Sequence, residues 1–205
     1  MSAAGRIVYV VDDDEAMRDS LCFLLRTAGL ASEAFASAEE ILEARRPQCA
    51  SCLLLDMRMP GMGGPALQAA LAANGERMPI IFITGHGDVP AAVEALKHGA
   101  FDFLEKPFED RQLLARVLQA LEHDAARRAR ETLAEARQAR LGTLTARERE
   151  VLSRVLQGKP SRVIAAELHV TLRTVEFHRA RILSRLGVHS VAELFHLFLP
   201  PDLRH

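Results

Sequence analysis

Along residues 1–121, short apolar runs alternate with stretches whose apolar side chains recur every three or four positions. "RIVYVV" (6–11) predicts a strand. "EAMRDSLCFLLRTAG" (15–29) predicts a helix, with Met17, Leu21, Leu24 and Leu25 on one stripe and Gly29 as its stop. "ASEAF" (31–35) is a second short strand, and "SAEEILEARR" (37–46) a helix opened by the capping box Ser37-x-x-Glu40. "CLLLDM" (52–57) is apolar without alternation up to Asp56, as expected of a strand buried on both faces. Helix "GPALQAALAAN" (64–74), strand "PIIFIT" (79–84), helix "VPAAVEALKHGA" (89–100), strand "FDFLEK" (101–106) and helix "EDRQLLARVLQALE" (109–122) complete the series. Five strand–helix units in strict alternation predict an α/β domain, a parallel sheet with helices on both faces.

The pattern then changes. Residues 122–140, "EHDAARRARETLAEARQAR", hold a single large apolar side chain, Leu133. They predict a charged, solvated linker helix that extends the helix ending near Leu121. From 141 to 205 only helices are expected. Thr145-x-x-Glu148 is a capping box for a helix from Ala146 to Gln157. Ser161 is expected to cap "RVIAAEL", "HVT" (169–171) to make a tight turn, and Thr171 to cap a longer helix ended by Gly187. Ser190-x-x-Glu193 opens a last helix before "LPP". A tight turn between the second and third of four short helices is a helix-turn-helix arrangement.

A chain of 205 residues with 49% hydrophobic content suits two small cored domains. The formal net charge of -1 hides a segregation. Residues 1–121 carry eleven Lys and Arg against seventeen Asp and Glu, and residues 141–205 carry ten against six. An acidic half expects a cation, and a basic half a polyanion. No apolar run approaches the roughly 18–20 residues of a membrane span, and "MSAAGRIVYVV" lacks the apolar core of a signal peptide. A cytoplasmic protein without membrane contact is expected. Cys49-x-x-Cys52 lies at the edge of a strand with no further ligands near it, and is read as reduced packing.

In parallel sheets, ligands bind beyond the carboxyl ends of the strands. There the sequence places Asp12 and Asp13 after the first strand, Asp56 after the third, Thr84 after the fourth and Lys106 after the fifth. Three carboxylates at one edge call for a hard cation such as Mg²⁺, and an ammonium with a hydroxyl beside it suits a phosphoryl group. Asp56, at the end of an apolar strand, is expected to be the deepest carboxylate and a nucleophile that forms an aspartyl phosphate. Asp14 and Glu15 are read as helix-capping residues.

"VVDDDE", "LLLDMRMPGMGG", "FITGHGD" and "DFLEKPF" resemble, in order and spacing, the receiver domain of bacterial two-component response regulators. The resemblance implies a flavodoxin-like (βα)5 receiver over residues 1–121. It implies that Asp56 accepts a phosphoryl group from a sensor histidine kinase, with Mg²⁺ held by Asp12, Asp13, Asp56 and the backbone carbonyl of Arg58. Thr84 and Lys106 would bind the phosphoryl oxygens, through a cis Lys106–Pro107 bond that aims the ammonium inward. Thr84 and Phe103 would form the switch pair. Arg58 and His86 fall at the two variable positions that flank the phosphoryl group, where they would tune its lifetime.

"LTARERE" and "IAAELHVTLRTVEFHRARILSRLGV" resemble the LuxR-type helix-turn-helix domain of NarL/FixJ regulators, with "GHGDV" and "RTVEFHRA" pointing to the FixJ type. Ser161-Arg162 stands where that family usually has Asn-Lys. The domains are therefore expected as receiver 1–121, helical linker 122–140 and DNA-binding domain 141–205. At 100° per residue, Val175, Ile182 and Leu186 share a core face of the recognition helix, while Arg173, Phe177, Ala180 and Ser184 face away. Arg173 is expected to read guanine, Glu176 cytosine, and Phe177 or Ala180 a thymine methyl. Arg162 and Arg181 are expected on phosphates. Arg179 sits nearer the core side, and His178 is read as a packed histidine. The whole implies a transcriptional regulator, not an enzyme, that is phosphorylated, dimerises through residues 89–106 and binds double-stranded promoter DNA, with RNA polymerase as a further partner. A phosphorylation-independent regulator with a vestigial receiver is the alternative. An aspartyl-phosphate phosphatase would want an acid where Arg58 stands.

Overall fold

The computed structural model describes residues 5–45, 47, 49–85 and 88–198. It divides into two compact units, with the division between Ala129 and Arg130.

The first unit is the expected α/β alternation. Its strands are β1 (Arg6–Val11), β2 (Ala31–Phe35), β3 (Ala50–Asp56), β4 (Ile80–Thr84) and β5 (Asp102–Glu105). All pair in parallel, in the order β2-β1-β3-β4-β5. Helices α1 (Glu15–Thr27), α2 (Ala38–Glu43), α3 (Gly64–Ala73), α4 (Val89–Lys97) and α5 (Asp110–Gly142) cover both faces. Alternate strand residues divide between two cores because successive side chains point to opposite faces. Tyr9, Val11, Leu53, Leu55 and Phe82 pack in one cluster, with Ile41, Leu67 and Ala92 from α2, α3 and α4. Val8, Val10, Cys52, Leu54 and Ile81 pack in the other, with Leu21 and Leu25 from α1 and Leu113 and Val117 from α5. In this strand order the direction of winding reverses between β1 and β3, which opens a crevice past their carboxyl ends. Gly64 starts α3 hard against that edge. A Cβ there would lie 2.6 Å from the Asp56 carbonyl and 2.8 Å from the Phe82 ring, so no larger residue fits without displacement.

Several local expectations change. β3 begins at Ala50, so Cys52 is its third residue and is fully buried, which pushes its thiol up to about 12. In α2 the Glu40 carboxylate accepts from the Ala36 N–H, one residue before Ser37, while Ser37 Oγ accepts from the Glu40 N–H. The larger correction concerns the linker. α5 is one helix of 33 residues, and although Glu122 and His123 are exposed, its buried face continues past residue 121. Asp124 is fully buried, and the His123 ring lies 5.5 Å from that of Phe101, so the first compact unit takes in part of the expected linker and runs to Ala129. Thr132 to Arg140 are exposed.

The second unit holds α6 (Ala146–Leu156), α7 (Ser161–Glu167), α8 (Leu172–Leu186) and α9 (Val191–Phe198). Leu144, Val151, Leu152, Ile164, Val175, Ile182, Leu186 and Leu194 form its core. The Thr145–Glu148 capping box is complete, and Gly187 closes α8 in the left-handed conformation at φ 67°. His169, at φ 53°, makes the turn between α7 and α8. Ser161 is not a cap. Pro160 occupies the N-cap position of α7 without a side-chain bond, and Ser161 Oγ instead accepts from Arg179 at 3.2 Å.

Candidate functional site

Three of the five predicted residues converge at the carboxyl edge of the sheet. Lys106 Nζ donates to Asp56 Oδ1 at 2.7 Å and to Asp12 Oδ2 at 3.2 Å. Asp12 follows β1, Asp56 ends β3 and Lys106 follows β5, so the parallel register brings them together from positions 94 and 50 residues apart. The Lys106–Pro107 bond is cis. Asp12 is the deepest carboxylate at this edge, 2% exposed against 8% for Asp56, contrary to the order expected from the sequence. The apolar run before Asp56 suggested depth, but Asp12 also folds back onto the backbone, its Oδ1 accepting from the Asp14 N–H. Arg18, which carries no sequence signal, donates to the Asp12 and Asp13 carbonyls.

The electrostatics follow from this packing. Burial pushes the Asp12 carboxyl above its ordinary value, against the opposing pull of the Asp14 N–H and Lys106. Burial alone would lower the Lys106 pKa, but its bonds to Asp56 and Asp12 and their charges outweigh that and hold it above the ordinary lysine value.

Thr84 is fully buried, and its hydroxyl donates to the Gly85 carbonyl. Asp13 is exposed, and Asp14 caps α1, accepting from the N–H groups of Ala16 and Met17. Among the described residues no three His, Cys, Asp or Glu side chains are grouped to hold a metal ion, so the three-carboxylate set is not gathered as such. The donor chemistry of the remainder suits Mg²⁺, which is commonly held by one or two carboxylates and keeps several waters. Receiver domains generally bind Mg²⁺ for phosphorylation.

Arg58 has an unexpected partner. Its N–H donates to Asp56 Oδ2 at 2.7 Å, while its guanidinium pairs with Asp88 at the start of α4, with Nε 2.7 Å from Oδ1. Phe103 is half-buried against the core that includes Phe82. His86 lies outside the described residues.

In the second unit, Val175, Ile182 and Leu186 face the core as expected, and Arg173, Glu176, Phe177, Ala180, Arg181 and Ser184 are exposed on α8. Arg162 is exposed on α7. Arg181 is not a free cation: its guanidinium lies over the Phe177 ring at 5.5 Å, and its Nε is 3.5 Å from the buried Glu148. Glu148 also accepts from Arg185 at 2.9 Å. The Thr145 N–H, more than these cations, holds the Glu148 carboxyl below its ordinary value. His178 is half-buried, and its Nδ1 has no hydrogen-bond partner among the described residues.

Two family models match the chain: the response regulator receiver domain over residues 8–118, and the bacterial regulatory proteins of the luxR family over residues 142–198. Nodulation protein W of Bradyrhizobium diazoefficiens is 52% identical over 129 residues, and the match spans 62% of this chain and 57% of that protein. The transcriptional regulatory protein FixJ of the same organism is 42% identical over 96% of both chains. The solved structure of the response regulator StyR, 47% identical, covers 95% of this chain and 98% of its own with a TM-score of 0.84. The chain belongs to the bacterial response regulators of the NarL/FixJ family, transcriptional regulators that join a receiver domain to a LuxR-type DNA-binding domain.

Proposed function

We propose that the regulator is switched by phosphorylation of Asp56. The observation that carries this reading is the Lys106 ammonium set between Asp56 and Asp12 at the carboxyl edge of the sheet. An Asp56 carboxylate oxygen attacks the phosphorus of a sensor kinase's phosphohistidine. The P–O bond forms, the P–N bond breaks, and the imidazole, already protonated on its other nitrogen, takes the bonding pair and leaves as the neutral ring. Phosphoryl transfer spreads negative charge over three oxygens, so catalysis is largely positioning and charge neutralisation. Lys106 supplies one positive charge on the Asp56 side, and Thr84 supplies a hydroxyl once it turns from Gly85. Mg²⁺, bound by Asp12, Asp56, Asp13 and the Arg58 carbonyl, would supply the remaining neutralisation.

Phe103, two residues before the end of the Thr84-paired strand β5, follows the Thr84 hydroxyl inward and changes the face formed by α4 and β5. That face, residues 89–106, pairs two copies of the chain. Two copies of α8 then meet a two-fold promoter site in successive major grooves. Arg173, Glu176, Phe177 and Ala180 read base edges, Arg162 and Arg181 hold phosphates, and RNA polymerase is the further partner. The protein works in the cytoplasm, in keeping with the absence of any helix long and apolar enough to cross a membrane among the described residues.

Sedimentation of the protein in Mg²⁺, with and without beryllium fluoride as phosphoryl mimic, tests the switch. Wild type is expected to pass from monomer to dimer and to bind two-fold DNA more tightly, while Asp56→Asn does neither. A protein already dimeric and indifferent to the mimic would favour a phosphorylation-independent regulator.

A further inference from the structure

We propose that Asp88 is a positioning residue for the phosphoryl chemistry at Asp56: it holds the Arg58 guanidinium on α4 and so keeps the mouth of the site open. This rests on Asp56 being the phosphoacceptor. The two ends of the pair differ in a telling way. The Asp88 side chain is 11% exposed and that of Arg58 76%. Both Nε and Nη2 of Arg58 donate to the same oxygen, Asp88 Oδ1. A buried carboxylate needs its cation, because an uncompensated charge away from water is costly. The exposed arginine has no such need. Asp88 therefore fixes where the guanidinium goes. The Arg58 backbone is meanwhile tied to the acceptor itself, its N–H donating to Asp56 Oδ2.

Arg58 thus stands with its main chain on the phosphoacceptor and its side chain drawn off to a carboxylate 30 positions further along the chain. A phosphoryl group on Asp56 offers three strong acceptor oxygens and up to two negative charges, which a planar guanidinium binds in bidentate fashion. Released from Asp88, the side chain would turn back onto those oxygens. Charge alone does not decide the effect on hydrolysis, since a cation that binds ground state and transition state alike leaves the rate unchanged. Sterics decide it: a guanidinium laid across the phosphoryl oxygens occupies the side from which water must approach. Asp88 keeps it away, and so shortens the life of the phosphorylated state.

The experiment labels the full-length protein with phosphoramidate in Mg²⁺, removes the donor and follows loss of phosphoprotein. It compares wild type, Asp88→Asn, Arg58→Ala and the double variant. Asn is isosteric with Asp and leaves no buried charge, so folding is kept in the single and double variants. Asp88→Asn is expected to lengthen the half-life threefold or more, and the double variant to decay at the Arg58→Ala rate. Unchanged decay in Asp88→Asn overturns the proposal. So does an Asp88→Asn effect of equal size in the Arg58→Ala background, since Asp88 would then act without Arg58. Failure of wild type to take label, or label persisting in Asp56→Asn, overturns the phosphoacceptor assignment itself.

Discussion

Asp124→Ala should destabilise the receiver unit by an amount large enough to see in a melting curve, although the residue sits where the sequence suggests solvent. Its carboxylate is fully buried and accepts from three directions: the Ser51 N–H at the start of β3 at 2.9 Å, Arg127 Nε at 3.1 Å and Arg128 Nε at 2.7 Å. Truncation leaves the Ser51 N–H without an acceptor in the interior, which costs about 1–3 kcal/mol. It also removes the carboxylate to which both guanidinium groups donate. Removing one partner of a buried ion pair costs roughly 3–5 kcal/mol, but the side chains of Arg127 and Arg128 keep 20% and 27% exposure and can recover water. A total of about 3 kcal/mol is therefore expected. In a unit of this size that lowers the melting temperature by ~10 °C. Asp124→Asn keeps an acceptor for Ser51 and should cost about half as much. Folding lowers the Asp124 pKa: burial opposes this, but the bonds from Arg128, Arg127 and Ser51 prevail. A lowered carboxyl pKa contributes stability that is fully present above the ordinary value of 3.8 and is lost as pH falls through the lower folded value. The gap between wild type and Asp124→Ala should accordingly be flat from pH 5 to pH 8, about the usual working range, and close only in strong acid. Thermal unfolding of the full chain with amide exchange at Ser51 is the assay. An unchanged melting temperature with Ser51 still protected would mean that Asp124 does not anchor β3.

Three further outcomes are expected. Glu148→Ala should cost the DNA-binding unit about 3 kcal/mol in denaturant unfolding, since Thr145, Arg181 and Arg185 all converge on a carboxylate that is 1% exposed. Arg173→Ala should cost about 1–3 kcal/mol of binding and relax the preference at one base, whereas Arg162→Ala should weaken binding to all sequences and reduce the salt slope by about one, as read by titration at several salt concentrations. Burial raises the Asp12 pKa, so a proton competes for that carboxylate at higher pH than for an ordinary aspartate. Mg²⁺ affinity, measured by titration calorimetry, should fall off on acidification sooner than an ordinary carboxylate site would, and in Asp12→Asn the weaker affinity that remains should hold to lower pH.

The receiver fold was legible because parallel strands buried in the sheet leave unbroken apolar runs: β1 and β4 fall where "RIVYVV" and "PIIFIT" put them, to within a residue, while the largely exposed edge strand β2 falls at "ASEAF" without such a run. Its site was legible for a related reason. Strand ends in a parallel sheet share one edge, so Asp12, Asp56 and Lys106 could be brought together by topology alone. What stayed hidden are polar groups whose partners are remote. Asp124, with Arg127 and Arg128 three and four positions on, looks like any solvated helix pair. Only the Ser51 amide, 73 positions away, makes it a buried anchor. Arg58 and Asp88 likewise carry no mutual signal across 30 residues. Ser161 misled because Ser is a good cap, whereas Pro160 already takes that position and leaves the hydroxyl to Arg179.

The two ends of the receiver sheet handle buried acid in opposite ways, and the contrast bears on function. At the amino end one carboxylate, Asp124, meets two guanidinium groups and a backbone N–H, so its charge is more than matched and the arrangement is settled. At the carboxyl end one ammonium, Lys106, is shared between Asp12 and Asp56, with Asp13 exposed beside them. Lys106 matches one of the two carboxylates it bonds, and a further cation, Arg18, is taken up by the Asp12 and Asp13 carbonyls. That deficit makes the free site repel an incoming phosphoryl group, which itself arrives anionic. A divalent cation at the carboxylates would offset that charge, and Asp56, as the proposed acceptor, would then present its oxygen against a weaker like-charge barrier. Phosphoryl transfer to Asp56 should for this reason depend on the cation, and Lys106 alone should not suffice.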